Sequence, residues 1–257
     1  MRLAIVGAGG KMGRALVRLG TQAGDSIAAA IDASFVGVDV GELAGIGSLG
    51  VRVTSDLEAI AGTDVVLDFS TPLATVSVVS AARRARVPLV CGTTGLSDEA
   101  KRALDDASVE VPVFWEPNMS VGVFVLGELV TQAVRKLGLG FDVEVVETHH
   151  RLKADAPSGT ALRLAELAVA ARDDGARVTC GREGRPGPRP QAEVGVFAVR
   201  GGDVVGDHTV HLVGLGERLE LTHRATNRDV FVHGALRAAR ALLGKAAGRY
   251  RFADLLG

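Results

Sequence analysis

Residues 1–13 read MRLAIVGAGGKMG and residues 27–32 read IAAAID, and these two runs decide the fold of the first half of the chain. Leu3 to Val6 is a short apolar run that glycines end at once, and Met12 to Leu19 then carries helical spacing. Gly7, Gly10 and Gly13 fit G-x-x-G-x-x-G with Gly9 additional; a strict G-x-G-x-x-G would need glycine where Met12 stands. The physics is shared by both spacings. Missing side chains let backbone N–H groups approach a pyrophosphate at the positive end of a helix. The bland alternative is a tight strand-to-helix turn without ligand. The same fingerprint asks for an acid at the end of the second strand, about 20 residues on, to hold an adenosine ribose. Asp32 stands there, followed by Ala33, Ser34 and Phe35 with no arginine. An acid without an adjacent cation repels the extra phosphate of NADP, so NADH is expected over NADPH; Lys11 and Arg14 could soften that preference.

Working outward, strand-like and helix-like runs alternate. Val65 to Phe69, Pro88 to Cys91 and Val111 to Trp115 read as strands, and Ala74 to Ala85 and the segment opened by Ser97-Asp98-Glu99 as helices. The strands are apolar on both faces, as in a parallel sheet covered on both sides, which predicts a Rossmann-like, doubly wound α/β sheet. The pattern changes after about residue 120. Ser120 is placed to cap a helix over 121–136, and Phe141 to Thr148 alternates, Val143 and Val145 facing away from Glu144 and Val146. Period-2 runs follow at Val194 to Arg200, His208 to Val213 and Arg218 to His223, which predicts a second α+β domain with a mostly antiparallel sheet. A helix over 229–243 closes the chain, and the stretch 181–190, GREGRPGPRP, is expected to be a mobile loop. The domain boundaries are set at 1–120 and 121–228, with 229–257 returning to the first domain.

Composition narrows the class. The 257 residues carry 29 Lys and Arg against 30 Asp and Glu, and 47% are hydrophobic. Nothing gives the one-sided basic footprint of a nucleic-acid binder, and disorder is excluded. No apolar stretch approaches the roughly 20 residues of a spanning helix, and the N-terminus lacks a signal peptide's pattern. Cys91 and Cys180 have no metal-type spacing, so a soluble, cytoplasmic protein without metal or disulfide framework is expected.

The most informative segment is 147–161, ETHHRLKADAPSGTA. It begins at a strand end, gathers titratable and cationic groups, and finishes at Pro-Ser-Gly-Thr leading into a helix whose free N–H groups suit a carboxylate. Positive charge beside a helix N-terminus suits a small dianion, and His149 and Lys153 can both deliver protons near neutral pH. Adjacent histidines on a strand point to opposite faces, which argues against a shared metal; a solvated Lys153 or a Schiff-base lysine are the alternatives.

His149-His150-x-x-Lys153-x-Asp155-Ala156-Pro157-Ser158-Gly159-Thr160-Ala161 resembles the signature of the 4-hydroxy-tetrahydrodipicolinate reductase (dihydrodipicolinate reductase) family. The glycine turn, Asp68-Phe69-Ser70 with Pro72, Gly92-Thr93-Thr94-Gly95, Pro117 to Gly122 and Arg200 to His208 are similar to that family in order, so the likeness spans nearly the whole chain. The resemblance implies NAD(P)H-dependent reduction of the cyclic imine derived from 4-hydroxy-tetrahydrodipicolinate, in the diaminopimelate route to lysine. It implies that Gly7, Ala8, Gly9, Gly10, Lys11 and Met12 carry the pyrophosphate and Asp32 the ribose. Gly92, Thr93, Thr94 and Glu116, Pro117, Asn118 and Met119 would line the nicotinamide side. His149 would be the proton donor or acceptor, Lys153 the proton donor, and His150, Gly159 and Thr160 the holders of the substrate's carboxylates. Many members carry Arg where Ala33 stands, and often small residues where Glu116 and Pro117 stand. The second domain would bind substrate and assemble a homotetramer. The rival readings are another small-acid dehydrogenase, of aspartate or homoserine type, and an NADH-sensing regulator; the latter would need a DNA-binding helix pair and a basic face.

Overall fold

The computed structural model describes residues 1–256, which divide into two compact units: Met1–Met119 with the residues from Asp229 onward, and Ser120–Arg228. In chain order the first unit holds β1 (Arg2–Val6), α1 (Lys11–Gln22), β2 (Ser26–Ile31), α2 (Val40–Leu43), β3 (Val53–Thr54), β4 (Val65–Asp68), α3 (Pro72–Ala85), β5 (Leu89–Cys91), α4 (Asp98–Ser108) and β6 (Pro112–Trp115). The second holds α5 (Val121–Leu137), β7 (Asp142–His149), α6 (Gly159–Ala171), β8 (Arg177–Cys180), β9 (Glu193–Arg200), β10 (Gly206–Val213) and β11 (Arg218–Ala225). The chain then returns to the first unit with α7 (Asp229–Leu242), β12 (Gly248–Tyr250) and α8 (Phe252–Leu256).

The first unit is a seven-stranded sheet in the order β12-β6-β5-β4-β1-β2-β3, every pairing parallel. The order reverses between β1 and β4, the switch point where such sheets bind ligands at their carboxyl ends. Leu3, Ile5, Val66, Leu67, Leu89 and Val113 are completely buried, as two covered faces require. Helix starts follow from local chemistry. Thr71, with Pro72 at the first turn, caps α3, and Ser97 accepts the Ala100 N–H of α4. α7 packs on α1 and on β4, β5 and β6, and Gly234 is what allows it: a Cβ there would lie 1.7 Å from the Met119 carbonyl oxygen.

In the second unit α5 and α6, capped by Ser120 and Ser158, cover one face of a five-stranded sheet in the order β11-β10-β7-β9-β8. This sheet is mixed rather than mostly antiparallel. β10 pairs antiparallel with β7 and β11, but β9 runs parallel to both β7 and β8. The cause is two crossovers, α6 between β7 and β8 and residues 181–192 between β8 and β9, each of which returns the chain to the same end of the sheet. β7 alternates as expected, with Val143, Val145, Glu147 and His149 buried under the helices.

Three further expectations are corrected. Helix α7 does not end the fold, because β12 extends the first sheet and Phe252 of α8 packs edge-on against Phe114. The short strands β3 and β8 went unpredicted. The stretch 181–190 lacks regular structure, but it is tied down: Arg182 pairs with Glu144 and Glu193, and Arg189 with Asp142 and Glu144.

Candidate active site

In the first unit the expected dinucleotide residues lie along the carboxyl ends of neighbouring strands. Gly7 leaves β1 with φ +80°, and a Cβ on it would stand 2.4 Å from the Phe69 carbonyl oxygen. A Cβ on Gly13 would stand 2.1 Å from the Gly7 oxygen, so the third glycine lets α1 sit against the turn. Gly10 is the N-cap of α1 and supplies no side-chain acceptor, whereas α3, α4, α5 and α6 each have a hydroxyl there. The first turn of α1 also lacks an acid. Its N–H groups therefore suit an anion from outside, and the turn fits the pyrophosphate of a nicotinamide dinucleotide. Asp32, at the end of β2, accepts from Gly9 N at 2.9 Å and Ser34 N at 2.8 Å, which joins the acid to the glycine turn. Arg14 donates to the Gly9 carbonyl and lies over the Phe35 ring, 5.1 Å from its centroid.

Gly92, Thr93 and Thr94 follow β5. A side chain on Gly92 would strike the Phe69 ring, and Gly92 N and Thr93 Oγ1 both donate to the Asp68 carbonyl. The buried Asp68 carboxylate accepts from Ser70, Thr75 and the Cys91 thiol, tying the β4 and β5 ends together. Burial raises its pKa against those hydrogen bonds, and burial with the neighbouring Asp68 pushes the Cys91 thiol up. The stretch Glu116 to Met119 follows β6, and the Trp115 indole donates to the Thr93 carbonyl, so the two stretches expected on the nicotinamide side adjoin.

In the second unit the segment 147–160 brings together His149, Lys153 and the start of α6. His149 is 8% exposed, and its Nδ1 is hydrogen-bonded to the Glu147 carboxylate. Glu147 has no exposed surface; Arg200 grips both its oxygens, at 2.8 and 2.9 Å, and Ser158 N donates at 3.0 Å. Burial would raise the Glu147 pKa, but the hydrogen bonds from Arg200, His149 and Ser158 outweigh it and hold the carboxyl below its ordinary range. Ser158 Oγ caps α6 and contacts His208 Nε2 at 3.2 Å. Burial, and then the neighbouring His149, push His208 down to about 4, so it is neutral at physiological pH. Lys153 Nζ is 2.8 Å from Asp155, whose carboxyl this ammonium holds below its usual range. Gly159 and Thr160 open α6. His150 lies just beyond the end of β7, with its Nε2 3.4 Å from Arg228.

Sequence reasoning gave no role to Glu147, Arg200 or His208. The first was detectable: residues two apart on a strand share a face, so Glu147 must accompany His149. Arg200 and His208 lie 53 residues from Glu147 and 50 from Ser158, and only sheet pairing brings them in. Among the described residues no group of three or more His, Cys, Asp or Glu could hold a metal ion, and no helix is long and apolar enough to cross a membrane.

Two family models match the chain: the N-terminal part of dihydrodipicolinate reductase over residues 1–119, and its C-terminal part over 122–256. A 4-hydroxy-tetrahydrodipicolinate reductase of Acinetobacter baumannii is 48% identical across 100% of this chain and 96% of its own length. One of Alkalilimnicola ehrlichii is also 48% identical, across 100% and 98%. Among solved structures, a dipicolinate-bound dihydrodipicolinate reductase from Paenisporosarcina superposes with a TM-score of 0.79 at 26% identity, covering 98% of this chain and 97% of that one. An aspartate dehydrogenase from Thermotoga maritima, 16% identical with a TM-score of 0.51 over 96% and 98% of the two chains, shares the fold alone.

Proposed function

The chain belongs to the dihydrodipicolinate reductase family, and from that premise we infer that it reduces the cyclic imine derived from 4-hydroxy-tetrahydrodipicolinate to tetrahydrodipicolinate, in the diaminopimelate route to lysine. One observation carries the reading: a buried imidazole, an ammonium and a capped helix start occupy a single segment, 149–160, in a chain 48% identical throughout to named reductases. The first unit takes the nicotinamide dinucleotide, with Gly7 to Met12 at its pyrophosphate and Asp32 at the adenosine ribose. Gly92 to Thr94 and Glu116 to Met119 take the nicotinamide side. When bound, the cofactor supplies the hydride.

The second unit does the rest. The substrate's two carboxylates need cations and N–H donors close together. Gly159 and Thr160, at the positive end of α6, hold one with the help of His150, and Lys153 turns from Asp155 to the substrate. As electron density moves onto the ring, Lys153 Nζ, or His149 Nε2 once it has taken up a proton, delivers the proton that balances the hydride. NADH is the preferred cofactor, because the Asp32 carboxylate, with Ala33 beside it, repels a 2′-phosphate. The protein works in the cytoplasm as a homotetramer assembled through the second sheet's uncovered face, where Val199 and Val213 are exposed. Freshly prepared substrate must drive oxidation of NADH, and His149→Ala and Lys153→Ala must each lower kcat by roughly 10²–10⁴. Wild-type rates in both variants, or turnover with aspartate or homoserine and none with the cyclic imine, would overturn the assignment.

A further inference from the structure

Glu147 is the most completely buried acid of the second unit, and its two oxygens serve two parts of the site. Oε2 accepts from His149 Nδ1 and Arg200 Nη1; Oε1 accepts from Arg200 Nη2 and from the Ser158 N–H immediately before α6. An ionised carboxylate only accepts, so a bond to it requires the proton on Nδ1 and leaves Nε2 of the neutral ring as the free acceptor. Among the described residues, other groups at His149 include Arg200 on β9, His208 on β10, with its ring edge-on at 5.2 Å, and Gly206, where an added Cβ would stand 2.9 Å from Nε2. None of these is an anion.

We propose that Glu147 is a positioning residue: one buried carboxylate fixes His149 in the Nδ1–H tautomer with Nε2 free for the proton, and the same group pins the start of α6 where the substrate's carboxylate is held. The proton carrier and the anion-holding helix end are thereby set by a single side chain. The link to catalysis rests on the reduction proposed above; the tautomer does not.

The test reads both. Imidazole ¹⁵N shifts of the wild-type protein at alkaline pH, assigned by the signal lost in His149→Gln, must show the Nδ1–H form, the minor tautomer of histidine free in water. In Glu147→Gln the Oε1 position faces two obligate donors, the Ser158 N–H and Arg200 Nη2, and the Oε2 position one, Arg200 Nη1, so the amide oxygen takes the Oε1 position. The amide NH₂ then faces His149, Nδ1 becomes an acceptor, and the ring switches to Nε2–H. kcat falls about 10²-fold or more while the KM for NADH holds. Glu147→Asp keeps the charge, the Nδ1–H form and a kcat above that of Glu147→Gln. An Nε2–H ring in the wild type overturns the proposal even if no variant folds. So does a Glu147→Gln protein that loses activity or stability with its tautomer unchanged. Absence of imine reduction by the wild type would sink the functional reading instead, and the ¹⁵N result would still decide the tautomer.

Discussion

Gly206 gives the most direct handle on the proton carrier. It opens β10, it is buried, and a Cβ built on it would lie 2.9 Å from His149 Nε2, 3.3 Å from His149 Cδ2 and 3.6 Å from His208 Cε1. Ordinary contact begins near 3.4 Å, so in Gly206→Ala the imidazole must retreat by about half an ångström. It cannot retreat freely, because Nδ1 is tied to the Glu147 carboxylate and the ring edge meets His208. The ring therefore tilts about Nδ1, and the new methyl covers Nε2. A displacement of about 1 Å at a reacting group costs up to 10²-fold, so half of it plus the shielding is expected to lower kcat by roughly 10- to 100-fold. The KM for NADH, which binds in the other unit, stays within twofold. Overpacking of this kind costs about 1–3 kcal/mol in urea unfolding. Gly201→Ala is the control: its Cβ meets nothing within 4 Å, and it should keep wild-type kcat. Steady-state oxidation of NADH with the cyclic imine reads all three proteins. A Gly206→Ala enzyme within threefold of wild-type kcat would show that the space at Nε2 is used by neither proton nor substrate.

Gly13→Ala drives a methyl to within 2.1 Å of the Gly7 carbonyl oxygen, so α1 must move off the turn, and the dissociation constant for NADH, followed by nucleotide fluorescence, should rise at least tenfold. Asp32→Ser removes the carboxylate proposed to repel a 2′-phosphate, and the ratio of kcat/KM for NADPH to that for NADH should rise about tenfold; an NADPH preference already present in the wild type would contradict the role given to Asp32 and Ala33. His208 sets an acid limit to stability. Burial pushes it down to about 4, below the ordinary 6.5, so as pH falls through that window the unfolded chain takes up a proton that the folded chain refuses. This one group should therefore cost about 2 kcal/mol at about pH 5 relative to neutral pH, and His208→Gln should remove most of that difference in urea unfolding; an unchanged pH dependence would refute it.

The parallel sheet was legible because its signals are local. Runs such as Val65-Val66-Leu67 are apolar on both faces, and α1, α3 and α4 begin at a glycine or a hydroxyl with a known job. What escaped reading depends on pairing. β3 has 2 residues and β12 has 3, too few for any period, and they exist because β2 and β6 offer open edges. The second sheet looked mostly antiparallel because alternation reports which face a residue takes and carries no strand direction; the direction came from two crossovers, through α6 and through residues 181–192. The stretch 181–190 is rich in glycine and proline, and composition alone suggested mobility. Arg182 and Arg189 hold it to Glu144 across 38 and 45 residues of sequence, a fact that no local window contains.

The same distinction separates the chemistry of the site from its arrangement. His149 and Lys153 could be singled out because a titratable ring and an ammonium before a helix start are uncommon company. The disposition of charge among them could not be read from spacing. The one fully buried acid among the described residues of the second unit, Glu147, is consumed by internal donors from Arg200, His149 and Ser158, so it takes no part in holding a ligand. Asp155 is exposed and paired with Lys153, and an exposed ion pair is worth little. Lys153, whose side chain is 21% exposed and whose partner Asp155 is 61% exposed, can therefore leave Asp155 for an incoming carboxylate at small cost, whereas the Glu147 network cannot exchange partners without stranding a buried charge. The site thus combines a fixed anion that aims the imidazole with a loosely held anion that can be replaced. A neutral substrate would gain nothing from releasing Lys153, and a dicarboxylate gains both the released ammonium and the N–H groups at the start of α6.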